Sequence, residues 1–281
     1  MDNFVYFKAN GLIKAKYKMT SLQNKIANLI FFKTDLMGAF REVFIKEGLS
    51  LYEININYKE VKEIAKKNLT FDEINNFLKD MENIKVYIYE NKNKYTRTNF
   101  ISLTEIHKEE NIFTVYIYST VYNAVKDKLQ GNFTPIDLTI LNNFKSVYSQ
   151  RLYENLRAWT ETKKVIDFKV DFLKQLFFLQ DKYKRYNDFK KDCLVKAINE
   201  INKSGYMEIK FEEIKLGRKI DTIRFVVKDN LPRQKEKKVI TEEPKKRNES
   251  QGSKKTLNFT NYSQREYDYD SLEKQLLGWD D

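Results

Sequence analysis

Residues 183–227 read YKRYNDFKKDCLVKAINEINKSGYMEIKFEEIKLGRKIDTIRFVV. Phe189, Cys193, Leu194, Ala197, Ile198 and Ile201 recur there at three- and four-residue steps. That spacing predicts an amphipathic helix over 187–203 with these side chains inward and Asn187 placed to cap it. Two runs follow, 206–213 and 220–227, whose alternation suits strands around a turn at 214–219. Cations gather at both ends of this unit. Lys182, Lys184 and Arg185 precede the helix and Lys190 and Lys191 occupy its first turn, while Lys215, Arg218 and Lys219 lie at the hairpin tip with Gly217.

Upstream, residues 142–160 (NNFKSVYSQRLYENLRAWT) read as one long helix with Phe144, Val147, Leu152, Leu156 and Trp159 inward. A short strand at 165–168 and a helix at 170–178 complete a helix, strand, helix, helix, hairpin order, which is that of a winged helix. The first half of the chain shows a similar plan. A strand at 4–8 leads to a buried helix over 20–33, where Thr20 and Gln23 fit a capping box. A strand at 49–57 follows, then helices near 58–68 and 70–83, with Thr70 and Glu73 as a second capping pair. Strand-like runs then occupy 85–90, 99–106 and 112–119. The expected fold class is α+β: two tandem winged-helix domains, 1–134 and 135–229, followed by a flexible tail.

Composition narrows the function. The chain has 281 residues and a formal net charge of +11, with 20 Phe, 18 Tyr, 8 Gly and 3 Pro. Few glycines disfavour a glycine-loop nucleotide site. GSKKT at 252–256 only echoes a phosphate loop, because the strand and helix that would frame one are missing from its surroundings. No apolar run approaches the ~18 residues needed to span a bilayer, and the N-terminus does not read as a signal peptide, so no membrane partner is expected. A single cysteine, Cys193, fits a reducing cytoplasm. One histidine, His107, leaves no metal-binding pair for a nicking tyrosine, and no Cys/His cluster has zinc spacing. No cofactor, metal site or catalytic residue is expected.

A basic chain favours a polyanion, since neutralising phosphates releases condensed counterions. Residues 135–229 carry 20 Lys/Arg against 14 Asp/Glu, the most basic folded part. A helix entering the major groove presents its N-terminal end, where Arg, Lys and Asn can read base edges, and a basic hairpin tip can reach the flanking backbone. The bland reading is a solvated helix face. The pairing of two basic features favours DNA, with Lys182, Lys184, Arg185, Asn187, Lys190, Lys191, Lys215, Arg218 and Lys219 as the candidate contacts. The corresponding helix of the first unit, TFDEINNFLKDMEN, sets Asp72, Glu73, Asp80 and Glu82 against Lys79 alone. That charge suits protein contacts rather than phosphate, or simply complements the helix dipole.

Four segments carry a resemblance: FKANGLIKAKYKMTSLQNKIANLIF near the start, YSQRLYENLRAW at 148–159, YKRYNDFKKDCLVKAINEIN at 183–202 and FEEIKLGRKIDTIRFVV at 211–227. Their order resembles the plasmid replication initiators of the Rep_3 class. The resemblance implies tandem winged helices, the second docked on repeated origin sequences (iterons) and the first supplying dimer and further DNA-backbone contacts. It implies that monomers initiate replication and that dimers repress their own promoter. The acidic Asp188 and Asp192 depart from a purely basic surface. Rival readings are a winged-helix transcriptional repressor and a metal-dependent nuclease or primase.

Residues 230–256 hold two of the three prolines, many Lys and Glu and no aromatic side chain, the composition of a disordered linker. Residues 257–281 are aromatic and acidic. Leu272, Leu276, Leu277 and Trp279 suit a short amphipathic helix, a docking peptide for a host helicase or its loader, or a tail packing on its own body.

Overall fold

The structure is a computed structural model that describes residues 4–37, 41–47, 49–89, 95–126 and 133–231. The linker and the tail, including Leu272, Leu276, Leu277 and Trp279, lie outside the described residues.

The first unit forms around one buried helix. Strand β1 (Val5–Ala9) leads into the short α1 (Asn10–Lys14) and then α2 (Ser21–Met37). The Thr20–Gln23 capping box forms as expected: the Thr20 amide donates to Gln23 Oε1 at 2.9 Å and the Gln23 amide donates to Thr20 Oγ1 at 3.3 Å. Ile26, Ala27, Leu29, Ile30, Phe31 and Phe32 of α2 are all buried. Such continuous burial means that packing surrounds the helix instead of covering one stripe of it. Strands β2 (Arg41–Lys46) and β3 (Leu49–Asn57) follow, then α3 (Tyr58–Ala65) and α4 (Phe71–Glu82). Both of these helices start with complete capping boxes, Asn57 with Glu60 and Thr70 with Glu73. After the β4 (Lys85–Tyr89) and β5 (Tyr95–Asn99) hairpin come β6 (Leu103–His107), β7 (Ile112–Tyr118) and α5 (Ser119–Lys126). The main sheet has the order β2-β3-β7-β6.

The expected strand over 99–106 is two strands. Phe100 and Ile101 are consecutive and both buried, which a continuous strand with one solvated face cannot provide. The chain turns there and re-enters as β6. The elements α1, β2, α5 and β8 (Phe133–Asp137) were not anticipated. β8 contains Pro135, a residue that disfavours strands, yet it pairs antiparallel with β1 in a two-stranded ribbon. The change between units expected at 134/135 therefore falls inside a strand.

The single helix expected over 142–160 is also broken, into α6 (Leu138–Asn143) and α7 (Val147–Arg157). Phe144 takes an extended backbone and is buried. Ser146 then caps α7, its hydroxyl accepting from the Tyr148 amide at 3.1 Å. The Glu200 carboxylate accepts the Lys145 amide at 2.6 Å and the Ser146 amide at 3.2 Å, so the break leaves neither amide unsatisfied.

The second unit has the winged-helix order. After α7 come β9 (Val165–Lys169), α8 (Val170–Leu176), a helix over 186–204, and the strands β10 (Met207–Leu216) and β11 (Lys219–Asp229). The sheet order is β10-β11-β9. The strands run further than expected, which shortens the 214–219 turn to Gly217 and Arg218 and places Lys215 and Lys219 within the strand ends. Gly217 sits at φ 62, the left-handed conformation that such a tight reversal draws on.

The two units are joined through α7, whose residues 149–157 are all buried. The sequence reading assigned five apolar residues to the inner face of the 142–160 segment. The structure also buries Gln150, Arg151, Glu154, Asn155 and Arg157, while Val147 and Trp159 are only half-buried. These five polar side chains tolerate this burial because each makes at least one hydrogen bond. Glu154 Oε1 pairs with Lys8 Nζ at 2.8 Å, both side chains 0% exposed, and Lys8 also donates to Asn28 Oδ1 at 3.0 Å. Asn24 Nδ2 donates to Gln150 Oε1 at 2.8 Å, and Asn155 Nδ2 to the Ile13 carbonyl at 3.0 Å. Arg151 donates to the Ala15 carbonyl and the Tyr17 hydroxyl. Arg157 Nε reaches the Pro135 carbonyl at 2.7 Å and its Nη1 grips Asp229 at 2.8 Å, tying β8 to the end of β11. Burial pushes the Lys8 ammonium below its ordinary range, and Glu154 opposes that push.

Removing one partner of a buried pair costs about 3–5 kcal/mol, whereas removing both costs less. Glu154→Gln is therefore expected to lower unfolding free energy by an amount of that order in urea titrations. Lys8→Met/Glu154→Gln is expected to lose less than the two single changes added together. Strict additivity would show that the pair is not coupled.

Candidate nucleic-acid interface

The 186–204 helix is continuous: α9 (Tyr186–Phe189), a π-helical turn (Lys190–Leu194) and α10 (Val195–Ser204). All six residues of the expected inward stripe are buried. The π turn adds a residue where Cys193 and Leu194 are both buried in succession, and such turns occur mostly as single widened turns within α-helices. The helix starts one residue earlier than expected. Arg185 holds the N-cap position without a side-chain cap, and Asn187 lies inside the first turn, exposed, so it does not cap.

The helix start and the hairpin tip border the same cleft, of ≈ 730 Å³. Lys184, Arg185 and Asn187 line one side and Arg218 and Lys219 the other, with Asp171 and Lys174 of α8 on the floor. The two basic features expected to act together are thus neighbours. Not every expected residue joins them. Lys182 borders a different pocket, shared with residues 17–19 of the first unit. Lys190 turns toward β10, where its Nζ pairs with Glu213 Oε1 at 2.7 Å. Lys191 and Lys215 are exposed outside the cleft lining.

The acidic departures have local partners. Asp188 Oδ2 pairs with Arg185 Nε at 3.0 Å and Asp192 Oδ1 with Lys196 Nζ at 3.6 Å. These are exposed pairs, each worth at most about 1 kcal/mol, so phosphate can compete for either cation. Glu213 holds the helix against the wing strand. It accepts from the Tyr186 hydroxyl at 2.7 Å as well as from Lys190, and these partners hold its carboxyl below the usual carboxylate range against the opposing effect of burial. The Tyr186 hydroxyl is pushed upward by burial and by the same carboxylate. Lys184, Lys191, Lys215, Arg218 and Lys219 make no ion pair among the described residues, which leaves their charge available to a polyanion.

Sequence reasoning missed Leu216, which stands 72% exposed at the hairpin tip beside Arg218 and lines the cleft. It also missed Asp171 and Lys174. The signal available for Leu216 was its adjacency to Gly217, since a side chain next to a two-residue reversal has little core to enter. His107 ends β6 and is exposed. Among the described residues no group of His, Cys, Asp and Glu is arranged to hold a metal, and no helix is long and apolar enough to cross a membrane.

Comparison with known proteins places this geometry. Residues 5–157 match the family described as initiator replication protein, WH1, and residues 169–227 match the initiator Rep protein, WH2. Among solved structures, selenomethionine derivatives of domain 2 and domain 3 of RctB are similar at 11% identity and a TM-score of 0.45, covering 75% of this chain and 81% of that one. The two family matches together span most of the chain, in the order of the two winged helices described above, and the chain belongs to the Rep_3 family of plasmid replication initiators, DNA-binding proteins built from tandem winged helices.

Proposed function

We propose that this protein starts plasmid replication by binding repeated origin sequences through its second winged helix, with no chemistry of its own. The observation that carries the reading is the cleft flanked by Lys184, Arg185 and Asn187 on the helix side and Arg218 and Lys219 on the wing side. In this reading the start of the 186–204 helix enters the major groove and the wing grips the neighbouring backbone. Copies on adjacent repeats bend the origin. Bending a 20–30 base-pair site costs on the order of 1–6 kcal/mol, which added phosphate contacts offset, and a nearby AT-rich segment is strained toward opening. The opened DNA receives a host helicase or its loader, with residues 257–281 as the docking peptide, and dimers repress the protein's own promoter.

The first winged helix is assigned to self-association. Its edge strand β2 leaves Phe44 72% and Ile45 47% exposed, and an uncovered edge strand with apolar side chains is a template for pairing with another chain. Phe44→Asp is expected to shift sedimentation toward monomer while leaving single-repeat DNA binding intact. An unchanged monomer–dimer balance would remove β2 from the interface.

Lys191→Ala and Arg218→Ala are each expected to weaken binding to origin DNA and to flatten the log K against log salt slope by about one counterion. Unchanged affinity and slope would mean that DNA lies elsewhere. Footprinting on DNA flanking the gene is expected to give regularly spaced protection. The same incubation with Mg²⁺ is expected to leave the strands intact, and a nick at the origin would replace this mechanism with a nuclease.

A further inference from the structure

A second pocket, of ≈ 610 Å³, lies where the two winged helices meet. Tyr17, Lys18 and Met19 of the connection between α1 and α2 form one wall. Tyr148 and Arg151 of α7 form the back, and residues 176–182, from the last residue of α8 onward, close the other side. Its volume is that of pockets that hold small metabolites.

The electrostatics behind the pocket are unbalanced. Lys8 and Arg151 are both buried and share one carboxylate, Glu154, at 2.8 Å and 3.5 Å. Arg151 is 2% exposed, and its Nε has no hydrogen-bond partner among the described residues. Asp35 accepts the amide of Phe7, beside Lys8 in the chain, at 2.9 Å and so lies at that end of the network. Buried charge in excess of its counter-charge is costly unless an opposite charge is close. Lys18 and Lys182, both exposed at the rim, add to the positive field, with Asp181 as the single acid of the lining. Apart from Gln180, the remaining lining is aromatic and aliphatic. Tyr148 and Phe177 pack with ring centroids 5.2 Å apart, and Phe178 stands 37% exposed at φ 55, a conformation that a bulky residue rarely adopts.

We propose that this pocket binds a small phosphate-bearing molecule with a planar apolar body, of mononucleotide size. The phosphate would sit on the Lys18 and Lys182 side in front of the buried Arg151 charge, and the ring would lie against Tyr148, Phe177 and Phe178. The closing segment also leads to the DNA face. Lys182 borders the pocket and Lys184 the DNA cleft two residues later, while Lys174 Nζ holds the intervening Tyr183 carbonyl at 2.8 Å. An occupant bridging both winged helices would therefore bias the segment that aims the 186–204 helix. That coupling rests on the DNA reading above, whereas the binding itself does not.

Isothermal titration of the full chain at fixed ionic strength tests this with two probes, inorganic phosphate and adenosine monophosphate. Saturable one-to-one binding is expected, tighter for the nucleotide than for phosphate. Lys18→Glu is expected to weaken it at least tenfold without loss of origin binding, and Lys182→Ala to weaken it as well, while Lys191→Ala/Arg218→Ala leaves it intact. No saturable heat with either probe, or the same affinity in Lys18→Glu, would overturn the proposal. Loss of binding in Lys191→Ala/Arg218→Ala would also overturn it, since the anion would then sit on the DNA face. So would displacement of the nucleotide by duplex DNA in that same variant, which would make backbone phosphate the occupant.

Discussion

The architecture depends on how α7 can be buried on every side while carrying Gln150, Arg151, Glu154, Asn155 and Arg157. An apolar helix in that position would join the two winged helices just as firmly, but hydrophobic contact is non-directional and would accept several rotations of one unit against the other. Hydrogen bonds are not so tolerant. Gln150 must meet Asn24, Asn155 must meet the Ile13 carbonyl, and Glu154 must meet Lys8, and all three contacts hold together only in one arrangement. The Arg157 grip on both Pro135 and Asp229 fixes the far end in the same way. A polar joint therefore supplies a specificity of orientation that an apolar one lacks.

With the joint fixed, charge is free to be distributed by task. The acidic residues of α4 remain on the first unit, where Glu73 serves the cap and is held below the usual carboxylate range by the Thr70 backbone and hydroxyl. On the second unit Lys184, Lys191, Lys215, Arg218 and Lys219, around the helix start and the wing, make no ion pair among the described residues. In the reading proposed above, phosphate meets a surface whose charge is not already spent on internal pairs. The exceptions are informative. Lys190 is committed to Glu213, and Arg185 to Asp188, so these two would reach DNA only by leaving a carboxylate behind.

Much of this was legible in the sequence because it follows from periodicity. The six inward residues of the 186–204 helix, the capping boxes at Thr20 and Thr70, and strand β3 are each decided by neighbours within a few positions. The family resemblance rested on segments that include both halves of the joint, FKANGLIKAK and YSQRLYENLRAW, but their polar residues looked solvated, because pattern reading assigns Gln, Arg and Glu to the outside. Their burial depends on partners more than a hundred residues away, such as Lys8 for Glu154, which no local period records. The break at 144–146 was hidden for the same reason: Glu200, which satisfies its amides, comes from another helix. The 214–219 turn was drawn too wide because Lys215 and Lys219 look like loop residues, although their pairing with Ile220 and Leu216 keeps them in the ladder.

Glu213 shows how a single acid can serve a basic surface. Placed on the wing strand, it accepts from Tyr186 and Lys190, one residue on each side of Phe189 and its neighbours in the first turn of the helix. A carboxylate near phosphate is repulsive on its own, so its position needs a compensating effect. That effect is preorganisation. Glu213 ties the helix start to the wing strand, and in the reading proposed above the ordering cost of bringing two mobile elements onto the duplex is then met during folding instead of during binding. The π turn contributes to the same end, since burying Cys193 and Leu194 in succession anchors the helix immediately behind Lys190 and Lys191 and limits how far its basic end can swing. A cleft built this way trades some attraction for a single geometry, which suits the binding to repeated sites proposed above.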